Sequence, residues 1–271
     1  MKFLVQQQPA FVYTGSKDFA AAKPSIIFIH GSANDHSVWI LQARYFAHHG
    51  FNVLAVDLPG HGNSFGAAKT TIGQYADWLI NLCDNGGIKQ AALVGHSMGS
   101  LIALEVAARY RQRVTQLALL GCSVPMPVSE VLLDAAKNNP HEAYTMLNIW
   151  GHAPQSKWAC SPIPGTALMM AYKRLLEKSR PGVLANDLAA CRACSIDEAA
   201  LKNIAAPTLV IGGGRDLLTP PKANALLTQQ IAGAKLVSLE NAGHAMMQEA
   251  PGEVLDALKI FIRHGEKSAK L

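Results

Sequence analysis

The chain has 271 residues, of which 49% are hydrophobic and 16% charged, and its formal net charge is +5. This composition supplies a large core and excludes a disordered chain, and so small and scattered a positive excess excludes a nucleic-acid-binding surface. The length lies between one domain and two at about 150 residues per domain.

Five cysteines, an odd number and widely spaced, are typical of reduced thiols in a cytoplasmic protein. The first residues lack the apolar run of about 7 to 15 residues that a secretory signal needs, and no segment approaches the roughly 18 to 20 apolar residues of a membrane span. Cys191 and Cys194 lack the second ligand pair that zinc requires. We expect a soluble cytoplasmic protein without stable membrane insertion, metal or organic cofactor.

Short apolar runs alternate with helical patterns along the first 123 residues. The predicted strands are 3–5 and 10–13, which form an antiparallel edge, and then 25–29, 51–56, 91–94 and 115–120. The predicted helices are 38–49, 71–84 and 98–110. Because the later strands alternate with helices, the pattern favours an α/β fold, a mostly parallel sheet with helices on both faces.

The alternation stops between residues 121 and 206. This stretch contains seven prolines and predicts helices, such as 128–138 and 166–178, but no strand. Strands then return at 207–211 and 235–239, and a last helix is predicted at 251–264. We therefore expect one core domain, formed by residues 1–123 and 207–271, that is interrupted by a helical cap at 124–206.

The pentapeptide Gly95-His-Ser-Met-Gly99 stands between a predicted strand and a predicted helix. This is the context of a nucleophile elbow, in which a serine on a sharp turn points above the sheet. The flanking glycines leave room for the turn, and the Met98 N–H, at a helix N-terminus, faces any oxyanion formed there. Ser97 is therefore the candidate nucleophile.

A serine hydroxyl needs a base to take its proton, and the base needs an acid to orient it. Asp216 follows the strand 207–211 and His244 follows the strand 235–239, so both lie beyond carboxyl ends of strands, where ligands bind in open α/β sheets. We predict a catalytic triad of Ser97, Asp216 and His244. The second oxyanion donor is expected in the loop after the strand 25–29, and the backbone N–H of Ser32 is the candidate.

The chain resembles the α/β-hydrolase superfamily, in its lidded branch of esterases, lipases and carbon-carbon bond hydrolases. The resemblance covers nearly the whole chain and rests on His30-Gly-Ser with Trp39 downstream, Asp57-Leu-Pro-Gly-His-Gly-Asn-Ser64, Gly95-His-Ser-Met-Gly99, Gly214-Arg-Asp216 and Asn241-Ala-Gly-His244. It implies an eight-stranded, mostly parallel sheet with a helical lid inserted after the sixth strand. It also implies that Asp57 and His61 shape a structural loop.

Serine at position 97 separates this chain from the family's dehalogenases and epoxide hydrolases, which carry aspartate there. It indicates an acyl-enzyme formed from an ester, thioester or amide, or cleavage of a carbon-carbon bond in a vinylogous diketone by the same triad. His96 stands where carbon-carbon hydrolases often carry asparagine, which favours a carboxylic-ester hydrolase. A non-catalytic ligand-binding homologue is a third alternative, because the fold also supports receptors.

The cap carries flat or flexible apolar side chains suited to an acyl or aryl pocket, namely Met146, Trp150, Trp158, Met169 and Met170. Side chains of this kind also form the core of a cap. We predict that Trp150, Trp158, Met146 and Met169 contact a small to medium apolar substrate. The expected partner is thus a small-molecule ester, and no nucleic acid.

Overall fold

The computed structural model describes residues 1–20, 22–158 and 165–268. In these residues one sheet is formed by β1 (Lys2–Val5), β2 (Gln8–Tyr13), β3 (Ser25–Ile29), β4 (Asn52–Val56), β5 (Ala91–His96), β6 (Val114–Leu120), β7 (Thr208–Gly213) and β8 (Lys235–Leu239). The strand order is β1-β2-β4-β3-β5-β6-β7-β8. The β1–β2 and β2–β4 pairs are antiparallel and all other neighbours are parallel. The predicted fold class is confirmed.

The α-helices of the described ranges lie between successive strands from β3 onward or after β8. They are α1 (Ile40–Ala47), α2 (Ile72–Asn85), α3 (Met98–Arg109), α4 (Glu130–Asn138), α5 (Pro140–Trp150), α6 (Leu168–Glu177), α7 (Val183–Ala193), α8 (Glu198–Lys202), α9 (Pro221–Gln230), α10 (Met246–Glu249) and α11 (Pro251–Ser268). Thr71 and Ser129 cap α2 and α4, since each hydroxyl accepts a backbone hydrogen bond from the first turn. None of the described helices combines the length and the hydropathy needed to cross a membrane.

The continuous apolar run of β3 is buried on both sides of the sheet. Side chains alternate along a strand, so Ile27 and Ile29 pack with α2 and α3 on one face, whereas Ile26 and Phe28 pack with α1 and α11 on the other. This two-sided burial explains why the sequence pattern is continuous and not alternating. It also holds the parallel strands with their carboxyl ends at one edge, where the functional side chains meet.

Between β6 and β7 the described residues form α4 to α8 and no strand. Buried side chains of these helices make a third apolar cluster, which includes Leu132, Ala136, Leu147, Tyr172, Leu176 and Leu188. The segment therefore has a core of its own beside the sheet. Its division from the rest of the chain at residues 124 and 206 stays a prediction.

Candidate active site

Ser97 occupies the sharp turn between β5 and α3. Its φ of 54° lies in the left-handed region, which non-glycine residues seldom adopt. The turn depends on its glycines, because a Cβ on Gly95 would overlap the Gly99 carbonyl and a Cβ on Gly99 would overlap the Ile29 carbonyl of β3. With glycine at both positions, strand and helix can pack closely enough for the chain to reverse at Ser97. The sequence motif therefore folds as an elbow.

Asp216 and His244 lie in the loops after β7 and β8 and are in contact. His244 Nδ1 stands 2.8 Å from Asp216 Oδ2, and both side chains are buried. Because a carboxylate oxygen accepts, the Nδ1–H donates and leaves Nε2 free to act as a base. Ser97 and His244 line the same cavity, although in the part of the chain that the structure describes no hydrogen bond joins them.

The Asp216 carboxylate is held from several sides. Its Oδ1 accepts hydrogen bonds from the backbone N–H groups of Leu218 and Thr219, each at 2.8 Å, and its Oδ2 accepts one from the Thr219 hydroxyl at 2.6 Å. Burial acts to raise the pKa of Asp216, but the charge of His244 and these hydrogen bonds outweigh it, and the pKa falls below its ordinary value. The carboxylate therefore remains ionised beside the imidazole.

His96, the residue before Ser97, supports the loop that carries His244. Its Nε2 donates to the carbonyl of His244 at 2.8 Å, and the two rings lie 4.7 Å apart between centroids. Burial, reinforced by the neighbouring His244, lowers the pKa of His96 to about 3. His96 is therefore a neutral ring that fixes the backbone of His244.

The loop after β3 lies against the elbow. A Cβ on Gly31 would stand 3.1 Å from both the Ser97 Cβ and His96 Nδ1, so glycine permits this approach. Ser32 lines the cavity beside Ser97. Met98 is the first residue of α3, where an N–H has no partner within the helix. The two predicted oxyanion donors thus lie on the two segments that meet at Ser97.

Two histidines and an aspartate brace the neighbouring loops. His30 Nε2 accepts from the Leu58 N–H at 3.1 Å, and burial together with nearby His61 lowers the pKa of His30 to about 4. Asp57 accepts hydrogen bonds from both the backbone and the ring of His36. Asp35, His36 and Asp57 have potential ligand atoms within 4.8 Å of one another, and the hydrogen bonds just described join two of the three, His36 and Asp57.

A cavity of about 350 Å³ opens above Ser97 and His244. Its apolar lining is Met126, Pro127, Val128, Leu132, Leu147, Trp150, Tyr172, Leu188, Leu217 and Leu218. Its polar lining comes from uncharged side chains and the two histidines His96 and His244; among the described residues no Lys, Arg, Asp or Glu lines it. The cavity therefore fits an uncharged, largely apolar molecule.

The predicted pocket residues of the cap have different positions. Trp150 lines the cavity. Met146 instead packs against the apolar cluster of the cap, Met169 is half-buried on α6 outside the described lining, and Met170 is exposed. These methionines are therefore not at the cavity, because their helices turn them toward the cap itself or solvent. The side chain of Trp158, and the whole of Cys160, lie outside the described residues.

Sequence reasoning missed most of the cavity wall. Leu217 and Leu218 lie in the loop after β7, and Met126 lies in the segment after β6, so their position beyond carboxyl ends of strands was a usable signal. Leu147 and Leu188 come from cap helices, and only packing shows which of their faces meets the cavity.

A model of the alpha/beta hydrolase family matches residues 26–257. Over 246 residues the chain is 30% identical to the pimeloyl-acyl-carrier-protein methyl ester esterase of Neisseria meningitidis, covering 84% of this chain and 90% of that protein. It is also 30% identical over 246 residues to the 2-hydroxy-6-oxononadienedioate/2-hydroxy-6-oxononatrienedioate hydrolase of Paraburkholderia phymatum, covering 84% of this chain and 83% of that one.

Two further similarities differ in extent. A stretch of 98 residues, 36% of this chain, is 39% identical to the dihydrolipoyllysine-residue acetyltransferase component of the acetoin cleaving system of Cupriavidus necator. The match spans only 26% of that protein. The solved enol-lactonase from Burkholderia xenovorans shares the fold with a TM-score of 0.87, at 23% identity, over 97% of this chain and 100% of that chain.

Proposed function

Because the chain belongs to the alpha/beta hydrolase family, we propose that it is a serine hydrolase that cleaves carboxylic esters with small to medium apolar acyl groups. The observation that carries the proposal is the 2.8 Å contact of His244 Nδ1 with Asp216 Oδ2 at the wall of the cavity that Ser97 also lines. Residues 1–123 and 207–271 supply this machinery, and the cap at 124–206 closes over it.

The proposed reaction begins when His244 takes the Ser97 proton as the hydroxyl attacks the ester carbonyl. Asp216 holds the imidazole with Nδ1 protonated and stabilises the imidazolium that forms. The backbone N–H groups of Ser32 and Met98 hold the oxyanion. His244 then protonates the leaving alcohol, and a water molecule activated by the same ring hydrolyses the acyl-enzyme.

Carbon-carbon bond cleavage is the second candidate, and the similarity to the Paraburkholderia phymatum hydrolase supports it. The substrate in that protein's name is a dicarboxylate. A buried carboxylate is held best by a cationic partner, and among the described lining residues there is no Lys or Arg, so only uncharged groups such as Asn34 and Ser129 would face it. The lining therefore favours the ester hydrolase.

A pair of substrates with the same number of acyl carbons tests this choice. We expect p-nitrophenyl hexanoate to be hydrolysed with kcat/KM at least about tenfold above that of mono-p-nitrophenyl adipate, because the adipyl carboxylate would enter an apolar cavity without a cationic partner. A series of p-nitrophenyl esters from acetate to laurate then measures acyl length. Preference for the adipate ester would contradict the neutral pocket.

Two other results of these assays would favour the alternatives to ester hydrolysis. Cleavage of a vinylogous diketone without hydrolysis of any ester would favour carbon-carbon cleavage. Binding of ligand with no turnover of either class would favour a non-catalytic homologue. In both cases the ester proposal would fail.

On the acid side, the pH profile should show one limb of unit slope. Activity is expected to fall on acidification because protonated His244 cannot accept the Ser97 proton. The lowered pKa of Asp216 keeps its carboxylate ionised over the same pH range. The stability that this carboxylate gives the folded protein is lost only as the pH falls through its lowered pKa, below 3.8. We therefore expect log(kcat/KM) to fall with unit slope; a slope of two would contradict the assignment.

A further inference from the structure

The side chain of Asp187 connects the cap to the sheet. It lies on α7, is fully buried, and makes three hydrogen bonds to residues outside the cap. Its Oδ2 accepts from the Ala33 backbone N–H at 2.9 Å and lies 2.8 Å from His61 Nε2. Its Oδ1 accepts from the Tyr75 hydroxyl at 3.2 Å. One cap carboxylate thus joins three separate segments of the chain.

The surroundings of His61 indicate its charge. Its Nε2 faces the Asp187 carboxylate at 2.8 Å and its Nδ1 faces the Pro59 carbonyl oxygen at 3.0 Å. Both oxygens can only accept, so both ring nitrogens must carry a proton and the ring is an imidazolium. The pair is therefore a buried ion pair that is hydrogen-bonded at both ends, the arrangement that burial of charge requires.

The Ala33 contact makes this ion pair relevant to the proposed reaction. Ala33 follows Ser32, and its φ of 56° is in the left-handed region that an alanine seldom adopts. A strained backbone persists only where its surroundings hold it. Asp187 supplies such a hold through the Ala33 N–H, one residue from the proposed oxyanion donor.

We infer that Asp187 is a positioning residue, which, together with the His61 imidazolium, fixes the loop that carries the Ser32 N–H and joins the cap to it. The inference rests on the proposed function. It predicts that the pair acts on the transition state more than on substrate binding, because the oxyanion exists only after attack on the carbonyl.

Asp187→Asn is the direct test. The amide keeps the shape but loses the charge that holds His61, and one of its two polar atoms becomes a donor. Because a misplaced catalytic group costs up to about a hundredfold, we expect kcat on p-nitrophenyl butyrate to fall by about that factor with little change in KM. Affinity for an alkylboronic acid, whose tetrahedral serine adduct occupies the oxyanion site, should fall in parallel.

Arg180→Ala is the matched control. Arg180 also ties the cap to the core domain, donating to the Ser64 carbonyl at 2.6 Å and the Gly62 carbonyl at 3.3 Å in the loop after β4, but among the described residues it makes no hydrogen bond to Ser32 or Ala33. Loss of a general link between cap and sheet would therefore affect both variants, whereas loss of positioning affects only Asp187→Asn. We expect Arg180→Ala to keep nearly the wild-type kcat and boronic acid affinity.

A second variant, His61→Gln, tests the ion pair through pH. Burial acts to lower the pKa of His61, but the charge and hydrogen bond of Asp187 outweigh it and raise that pKa. Stability from such a group is complete at acid pH and is lost as the pH rises through the raised pKa. We expect the wild type to lose kcat along an alkaline limb that is absent in His61→Gln.

Apart from His36, the other titratable groups around the pair do not change charge in that range. Burial lowers the pKa of His30 to about 4 and raises those of Tyr75 and Cys191 far above neutrality. Burial acts to raise the pKa of Asp57, but the hydrogen bond with His36 outweighs it and lowers that pKa. Burial acts to lower the pKa of His36, but the hydrogen bond and charge of Asp57 outweigh it and raise that pKa, so His36 can also lose a proton on the alkaline side. Among the described residues no hydrogen bond joins His36 to Asp187 or Ala33, and the variant His61→Gln removes only the His61 proton, so it separates the two histidines.

The outcomes separate the two proposals. If wild type and Arg180→Ala both fail to hydrolyse esters, the proposed function has failed. If the wild type is active and Asp187→Asn matches it in kcat and in boronic acid affinity, the positioning role is overturned. If Asp187→Asn does not fold, as judged by thermal unfolding, His61→Gln decides: an unchanged alkaline limb overturns the inference and its disappearance supports it.

Discussion

Ser97→Ala should reduce kcat for ester hydrolysis by roughly a million-fold, the scale seen when a triad nucleophile is removed. Without the hydroxyl no acyl-enzyme forms, and only ground-state binding and the oxyanion donors remain. A fluorophosphonate probe should label the wild type once per chain and leave the variant unlabelled. The melting temperature should change little, because alanine at φ 54° carries a strain similar to that of serine.

Ser123→Ala provides the matched control for this substitution. Ser123 is a buried serine at the end of the same sheet, and its hydroxyl has no hydrogen-bond partner. Its removal should leave both turnover and probe labelling close to wild type. Equal turnover by Ser97→Ala and the wild type would sink the nucleophile assignment.

Asp216→Asn should lower kcat by about ten-thousandfold with a small effect on KM. The amide can present its N–H₂ group to His244 Nδ1, which then accepts and leaves the proton on Nε2. A ring in this tautomer cannot take the Ser97 proton. The backbone N–H groups of Leu218 and Thr219 still donate to the amide oxygen, and the Thr219 hydroxyl, which donates to Oδ2 in the wild type, can rotate to accept from the amide N–H₂ instead, so the fold should survive.

Asp256→Asn removes a carboxylate without touching the cavity. Asp256 is exposed on α11 and pairs with Lys259 at 2.8 Å. Steady-state kinetics on p-nitrophenyl butyrate should show wild-type rates for this variant. If Asp216→Asn also kept the wild-type kcat, His244 would not depend on Asp216 for its orientation.

Several features of the site were visible in the sequence because each depends on a short stretch of chain. The elbow needs a strand, a glycine-flanked serine and a helix in succession, and Ser97 satisfies this locally. Asp216 and His244 follow strands whose apolar runs are evident, and parallel strands bring their carboxyl ends to one edge. The element order alone therefore predicted that the three side chains would lie near one another.

The cap could not be resolved in the same way. An apolar residue of a cap helix can face either the cavity or the cap's own core, and the sequence does not tell which of the two it faces. Met146 and Trp150 are one helical turn apart on α5, yet only Trp150 lines the cavity. Both are apolar, and the tertiary packing of α5 against its neighbours made the distinction.

The sequence by itself determined the fold class, the order of the candidate triad and the strand ends that carry it, because hydrophobic periodicity and turn chemistry are local properties. Only the tertiary structure decided the uncharged lining of the cavity and the Asp187–His61 pair. These two residues are 126 positions apart along the chain. Contacts at such separation depend on how the cap docks, and no local pattern encodes that.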